Sequence, residues 1–294
     1  IMAASEKAAR ELRASGCALV GDITNGDLLA PLSLAPGLER RVFFEILGFQ
    51  HHKADALFEQ ARKQAAQVNP GAQLAAHALY STSPTLIKKI AAGSHPFTIH
   101  LAESPEESML LLNGGGPLIP FLKKRGVWDE GWQIPGKSPA ACLNDFGLLN
   151  KNSLLVHAVQ VDNADVEIIK ESGAAVCLCP RSNAHYAVGK APLQKFLQKE
   201  IPLCLGTDSL ASNIDLDMNN EIYYAYRNGQ GLRPDMLLRM ATLNGARILG
   251  QGAVLGSLQP SKKARFNVFK SKDAINKHPE EFVVSKSWSE LKCF

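Results

Sequence analysis

The chain has 294 residues, of which 46% are hydrophobic, and a formal net charge of +4. This length fits one large α/β barrel or two smaller domains. The basic residues are spread along the chain, and no apolar run reaches the roughly 20 residues of a membrane span, so we expect neither a nucleic-acid partner nor a membrane protein. No signal peptide opens the sequence, and the cysteines in apolar runs (Cys177, Cys179, Cys204) look like reduced thiols, which together predict a cytoplasmic address.

The predicted elements alternate between strands and helices along most of the chain. Helices are predicted over residues 2–15, 55–68, 162–172, 192–199, 218–227 and 234–249, and one more begins at Pro84 after the N-cap residue Ser83. Seven strands are predicted over residues 18–24, 41–48, 73–78, 97–100, 153–159, 174–179 and 201–208. This alternation predicts right-handed βαβ units and a parallel sheet.

Two regions depart from this alternation. Residues 104–141 form a long excursion with three consecutive glycines, 114–116, and we interpret it as a mobile loop near the site, since no Gly-Lys-Ser/Thr follows to make a phosphate loop. Residues 251–294 form a tail that is rich in glycine and proline, in which residues 266–269 and 282–284 are predicted as short strands outside the barrel.

Polar residues fall where the predicted strands end. His77, His100, His157 and Asp208 each close a strand, and Glu103 follows three residues after His100. Taken alone, the pair His100 and Glu103 is better explained by a hydrogen-bonded strand-end histidine and a carboxylate in the first turn of a helix. In a barrel, however, the carboxyl ends of all strands converge on one rim. Imidazoles, carboxylates and a free glutamate at one rim are the residue types of a hydrolytic metal site.

Six segments resemble the amidohydrolase superfamily, in its cytosine deaminase and chlorohydrolase branch. They occur in the family's order at residues 77–81, 100–103, 155–158, 179–183, 205–209 and 241–246. The resemblance implies a (β/α)8 TIM-type barrel that holds one divalent metal ion, Zn or Fe, with His100 and Asp208 as ligands. It also implies that Glu103 moves the proton, that His157 orients the hydroxide or polarises the substrate, and that His77 contacts the substrate.

The implied activity is hydrolysis of a C–N bond in a purine- or pyrimidine-like ring, with an adenosine-type substrate favoured. Metal-bound hydroxide attacks the ring carbon, and Glu103 passes the water proton to the departing ammonia. Arg181 and Asn183 follow a strand end and could bind the rest of this small heterocyclic substrate, although a solvated loop charge is an almost equal interpretation of Arg181. An s-triazine chlorohydrolase uses the same apparatus, and the residues do not separate the leaving groups.

The chain also departs from the family. Members carry a His-x-His pair on the first barrel strand and a small β-sandwich, and the eight histidines here include no such pair. The adjacent pair His51 and His52 would point to opposite faces of a strand. Seven strands in place of eight indicate that the first strand and most of the sandwich are missing, so we predict that this chain binds little or no zinc.

These departures set the remaining expectations. We predict a catalytic barrel over residues 1–250 and a remnant of the sandwich over residues 251–294. The tail strands are expected to be exposed edges that could pair with another chain, which would make a homo-oligomer. A truncated, catalytically inactive barrel kept as an interaction module is the alternative to an enzyme.

Overall fold

The computed structural model describes residues 2–25, 36–93, 96–229, 231–272 and 278–294. Seven parallel strands make up its central sheet, as predicted, within ±3 residues at their ends. They are β1 (Leu19–Thr24), β2 (Glu39–Ile46), β3 (Gln73–Ala76), β4 (Phe97–Leu101), β5 (Ser153–His157), β6 (Ala175–Leu178) and β7 (Leu203–Leu205). The order is β1-β2-β3 and β4-β5-β6-β7, and the parallel bridge between Ala78 and His100 joins the two groups.

Helices follow the strands on the outside of the sheet. They are α1 (Met2–Ala14), α2 (Ala54–Val68), α3 (Pro84–Gly93), α4 (Pro105–Asn113), α5 (Leu118–Lys124), α6 (Pro139–Asp145), α7 (Asn163–Ser172), α8 (Pro180–His185), α9 (Leu193–Gln198), α10 (Met218–Asn228), α11 (Pro234–Arg239), α12 (Gly245–Ile248) and α13 (Pro279–Val284). A 3-10 helix covers His51–Lys53, and a π-helix, Met240–Asn244, interrupts the helix predicted over residues 234–249. Among the described residues, no helix is both long and apolar enough to cross a membrane.

The core lies between the sheet and these helices. Its largest fully buried side chains include Ile99 on β4 and Leu155 on β5, which share one hydrophobic cluster with Ile87 of α3 and Ile169 of α7. Strands β4 to β7 are buried along nearly their whole length, as strands of a parallel sheet covered by helices are. The fold is a partial barrel of the (β/α) type, with β1 and β7 at the two ends of the described sheet.

The excursion over residues 104–141 is not the mobile loop that we predicted. Its first half folds as α4 and α5, and Leu110 and Leu111 are buried on α4. Gly114, the first of the three glycines, is the C-cap of α4 with a φ of 69°. A left-handed residue after a helix favours glycine, so the glycine run ends a helix.

One prediction for the tail is confirmed and one is wrong. Strands β8 (Asn267–Lys270) and β9 (Glu290–Cys293) pair antiparallel with each other, which confirms the strand predicted near residues 266–269. The strand predicted over residues 282–284 is wrong, because these residues end α13. Pro279 at the start of that helix and the acidic Glu280 and Glu281 in its first turn favour helix over strand.

Candidate active site

The predicted site residues do converge at the carboxyl ends of the parallel strands. The strand-end cluster consists of Glu45, His77, His100, Glu103, His157 and Asp208. The imidazole of His100 lies 5.2 Å from that of His77 and 5.5 Å from that of His157, measured between ring centroids. The short strands thus bring together side chains that are more than 160 residues apart in sequence.

Hydrogen bonds fix which nitrogen of each histidine faces the site. His100 Nδ1 donates to the backbone oxygen of His77 at 3.0 Å, which leaves Nε2 with its lone pair. His157 Nδ1 lies 2.9 Å from Asn183 Oδ1, so its Nε2 faces Glu103 Oε1 at 3.6 Å and Asp208 Oδ2 at 4.0 Å. A histidine held at Nδ1 by an oxygen presents a basic Nε2, as metal-ligating and catalytic histidines do.

Asp208 is held by several donors. Ser182 and Ser212 donate their hydroxyls to Oδ2 at 2.6 and 2.8 Å, and the backbone N–H of Ser209 donates to Oδ1 at 2.8 Å. Burial favours the protonated form, but the two serine hydroxyls together with the nearby His157 and His100 outweigh it and lower the pKa of Asp208. Gly206 before it has no room for a side chain, because a Cβ would lie 2.8 Å from Cys177 Sγ. Asp208 is therefore an ionised carboxylate in a constrained turn.

Left-handed backbone conformations occur at the same strand ends. Ala102, His157, Ala158 and Asp208 have φ values of 49°, 72°, 47° and 58°. Such conformations cost non-glycine residues about 1–3 kcal/mol each and are typical of functional sites. They turn the chain where β4, β5 and β7 end, which is where Glu103, His157 and Asp208 of the cluster lie.

Burial changes the protonation of the other cluster members. It lowers the pKa of His77 to about 4, with the nearby His100 and His157 adding to the effect, so His77 is neutral at pH 7. Its Nδ1 lies 2.5 Å from the hydroxyl of Ser81. Burial also lowers the pKa of His157, against the attraction of Glu103. Neutral imidazoles can accept a hydrogen bond or bind a metal ion.

Glu45 is the member of the cluster that sequence reasoning missed. It is 8% exposed on β2, and its Oε1 lies 3.5 Å from His100 Nδ1. Burial raises its pKa, partly offset by His100. Its signal in the sequence was a single acid inside the apolar run of residues 42–47, which indicates a buried charge that needs a partner.

Two residues predicted to bind substrate have protein partners in this structure. The guanidinium of Arg181 donates to both oxygens of Asp215 at 2.8 and 3.2 Å, and its backbone N–H donates to the buried Glu221 at 2.8 Å. Asn183 is 3% exposed and is bonded to His157. Contact of these two residues with the substrate stays a prediction. In the structure, Arg181 helps to position α8 and Asn183 positions His157.

The comparison with known families decides the family. The model of the amidohydrolase family matches residues 1–292. The chain belongs to the amidohydrolase family. Among curated amidohydrolase relatives, an aminodeoxyfutalosine deaminase of Deinococcus radiodurans is 32% identical over 266 residues, which cover 85% of this chain and 64% of the relative. A 5-methylthioadenosine/S-adenosylhomocysteine deaminase of Thermoanaerobacter pseudethanolicus is 35% identical over 195 residues, which cover 64% of this chain and 42% of the relative.

Solved amidohydrolase structures share the fold. An aminofutalosine deaminase of Helicobacter pylori matches with a TM-score of 0.83 at 22% identity, covering 99% of this chain and 75% of that one. An adenosine deaminase of Xanthomonas campestris with bound zinc matches with a TM-score of 0.69 at 23% identity, covering 94% of this chain and 64% of that one. This chain thus spans less than two thirds of the length of the two curated relatives.

Proposed function

We propose that this protein is a metal-dependent aminohydrolase that replaces the amino group of an adenosine-type ring with a carbonyl oxygen. The observation that carries the proposal is the convergence of His100, Glu103, His157 and Asp208 at the strand ends. The family membership and the names of the relatives, both deaminases of adenosine-type compounds, support it.

The residues present fit a divalent metal ion by type of ligand. His100 keeps a free Nε2, and Asp208 is ionised and held by hydroxyls, so imidazole and carboxylate are both available. When bound, such an ion would lower the pKa of a water molecule and make it a nucleophile at neutral pH. Glu45 adds a further possible metal ligand that the sequence did not indicate. The ligand atoms of Glu45, His77 and His100 lie within 4.8 Å of one another. Weak zinc binding stays a prediction, as does the choice between Zn and Fe.

The chain's own residues supply the proton movements. The side chain of Glu103 is partly exposed, and its Oε1 lies 3.6 Å from His157 Nε2. From this position Glu103 can accept the proton of the attacking water. The water oxygen bonds to the ring carbon while the ring carbon–nitrogen double bond opens, and Glu103 passes the first water proton to the ring nitrogen. Glu103 then passes the second proton, from the new hydroxyl, to the amino nitrogen, so that the exocyclic C–N bond breaks, ammonia leaves and a ring carbonyl remains. The Nε2 of His157 and the carboxylate of Asp208 can accept hydrogen bonds from the attacking water, which orients it and stabilises the positive charge on the proton being moved. His77, neutral at pH 7, is proposed to contact the substrate.

A deamination assay tests the proposal. Protein expressed from the full coding sequence is offered adenosine, 5-methylthioadenosine, S-adenosylhomocysteine and aminodeoxyfutalosine, and both loss of adenine absorbance and release of ammonia are followed. We expect at least one substrate to be deaminated, and Glu103→Gln to lower kcat by about 100-fold or more, because the general base is lost.

Glu106→Gln is the matched control, since Glu106 lies three residues after Glu103, in the first turn of α4, and outside the cluster. It is expected to leave kcat within about twofold. Chloride release from an s-triazine substrate forms a parallel arm. Full activity of Glu103→Gln, or chloride release without deamination of any adenosine-type compound, would overturn the proposal.

A further inference from the structure

A second group of metal-binding side chains lies outside the strand-end cluster. His51, His52 and Asp129, here named the rim triad, offer three ligand atoms that all lie within 4.8 Å of one another. None of the three belongs to the strand-end cluster, and none is used in the proposed reaction. His51 and His52 come after β2, whereas Asp129 lies 78 positions later, between α5 and α6.

Local backbone geometry brings the two histidines together. An extended chain would point them to opposite faces, as the sequence predicted, but that prediction is wrong because residues 51–53 form a 3-10 helix. Their rings lie 5.9 Å apart at 88° to each other. Both side chains are exposed, and no hydrogen bond joins the imidazole of His52 to any residue in the described part of the chain. A free imidazole is thus held beside the His51 and Asp129 pair.

Asp129 is the fixed member of the rim triad. It is 8% exposed, and the backbone N–H groups of His51 and Gly131 donate to its two oxygens at 2.7 and 2.9 Å. Its Oδ2 also lies 2.5 Å from His51 Nδ1. Two main-chain donors hold the carboxylate in position before any ion binds. Binding an ion therefore costs little further conformational entropy at this ligand.

We propose that the rim triad binds a divalent transition-metal ion through two imidazoles and one carboxylate, with water in the remaining position. Two imidazoles with one carboxylate are a ligand set used by zinc in proteins, and imidazole also suits nickel and copper. A calcium or magnesium site would instead need mostly oxygen ligands. A cavity of about 340 Å³, lined in part by His51, Asp129 and Trp132, opens beside the triad and gives an ion and its water access.

The ion would fasten two segments of the rim together. The same junction already holds an aromatic contact, with Phe49 stacked on Trp128 at 5.4 Å and packed against Trp132 at 5.6 Å between ring centroids. Gln50 also donates its side-chain amide to the backbone oxygen of Trp128 at 3.2 Å. Metal binding here would therefore stabilise the packing of the segment between α5 and α6 on the residues that follow β2.

Tryptophan fluorescence gives a direct readout, because Trp128 and Trp132 flank Asp129 in the sequence. Protein stripped with a chelator is titrated with NiCl2, a quencher of nearby indoles, and calorimetry gives the stoichiometry. We expect saturable quenching in the wild type, with affinity reduced about tenfold or more by His52→Ala and by Asp129→Asn. His52→Ala is the more informative variant, because the His52 side chain makes no hydrogen bond in the described structure. Without metal, the melting temperature of this variant should therefore equal that of the wild type.

Two controls separate this site from other histidines. His185→Ala removes an exposed imidazole beside an aromatic ring, Tyr186, and His100→Ala removes a member of the strand-end cluster. Both variants should keep the nickel quenching of the wild type. The proposal is overturned if the wild type shows no saturable quenching, if either His52→Ala or Asp129→Asn binds as tightly as the wild type, or if His100→Ala abolishes the quenching.

Discussion

His157 shows how a single residue's role depends on neighbours that are distant in sequence. Its position at the end of β5 is readable from the apolar run before it. Its tautomer is set by Asn183, 26 positions later, and its open nitrogen faces Glu103 and Asp208. The chemistry at this residue therefore comes from contacts that only the folded chain makes.

Glu107 is a second residue whose surroundings are unusual. It is fully buried in the first turn of α4, where its Oε2 accepts the backbone N–H of Glu103 at 3.2 Å and its Oε1 has no hydrogen-bond partner in the described structure. Burial raises its pKa to about 8, although the backbone N–H groups of Ala102 and Glu103 oppose the shift. It holds the left-handed turn at Ala102 that presents Glu103 to the site.

This raised pKa makes stability depend on pH. Between the ordinary value of 4.5 and the folded value of about 8, the folded protein keeps a proton that the unfolded chain has released. The free energy of unfolding therefore falls as the pH rises through this window, and the contribution is present in full below pH 4.5. Glu107→Gln cannot ionise and should lose this dependence.

Urea unfolding at pH 5, 6.5 and 8 measures the effect. Relative to Glu107→Gln, the wild type should lose about 1 kcal/mol per pH unit, or a few kcal/mol in total. Parallel pH profiles for the two proteins would show that Glu107 is ionised in the folded state. Glu106→Gln, on the same turn but partly exposed, serves as the control and should keep the wild-type slope.

At the scale of elements, the π-helix Met240–Asn244 makes a hydrogen bond to the edge of the sheet. Pro202 and Gly206 flank β7, and both bond to β6: Val176 N–H donates to Pro202 O, and Gly206 N–H donates to Leu178 O. Because alternate residues of a strand bond to opposite sides, Leu203 directs its carbonyl to the other edge. Asn244 donates its side-chain amide to that carbonyl at 3.0 Å. The π-helix thus covers part of the edge of β7.

Removing this contact should destabilise the fold. Asn244→Ala leaves the buried Leu203 carbonyl without its donor, and we expect the free energy of unfolding to fall by about 1–3 kcal/mol. Asn228→Ala is the matched control, because Asn228 donates to the backbone oxygen of Tyr224 at an exposed position. Its effect should stay within about 0.5 kcal/mol. Equal effects of the two substitutions would mean that the edge contact adds no stability.

At the scale of the whole molecule, the tail is tied to the barrel at several points. Val284 of α13 is fully buried in the same core as Leu237 of α11, and Tyr226 of α10 donates its hydroxyl to Glu281 at 3.2 Å. Asn267 of β8 donates to the backbone oxygen of Gly16 at 3.1 Å. The division at residue 250 stays a prediction, as does pairing of the tail with another chain, but these contacts favour unfolding as one unit.

Thermal or urea unfolding tests this cooperativity. Trp288 lies in the tail, so the fluorescence difference between the wild type and Trp288→Phe should follow the same transition as the circular dichroism of the barrel. Val284→Ala should shift both signals together, with a loss of about 2 kcal/mol from the deleted methyl groups and the cavity left behind. Val268→Ala, at a side chain 37% exposed on β8, should shift neither appreciably. Two separated transitions would identify the tail as an independent unit.

Much of the fold was predictable from the sequence, and so were the strand-end positions of His77, His100, His157 and Asp208. Apolar runs of four to eight residues must be buried, and alternation with amphipathic helices leaves a parallel sheet as their common arrangement. The family was likewise readable from the order of the six segments, and the match of the family model over residues 1–292 confirms the family. These features depend on local pattern and chain order alone.

The tertiary structure decided which side chains touch. It placed Glu45 beside His100, bonded Asn183 to His157, paired Arg181 with Asp215 and made α13 a helix. It also turned His51 and His52 toward Asp129, 78 and 77 positions away, when an extended chain would separate them. Each outcome depends on burial, charge and hydrogen bonding between segments that are distant in sequence, and periodicity along the chain contains no information about such distances.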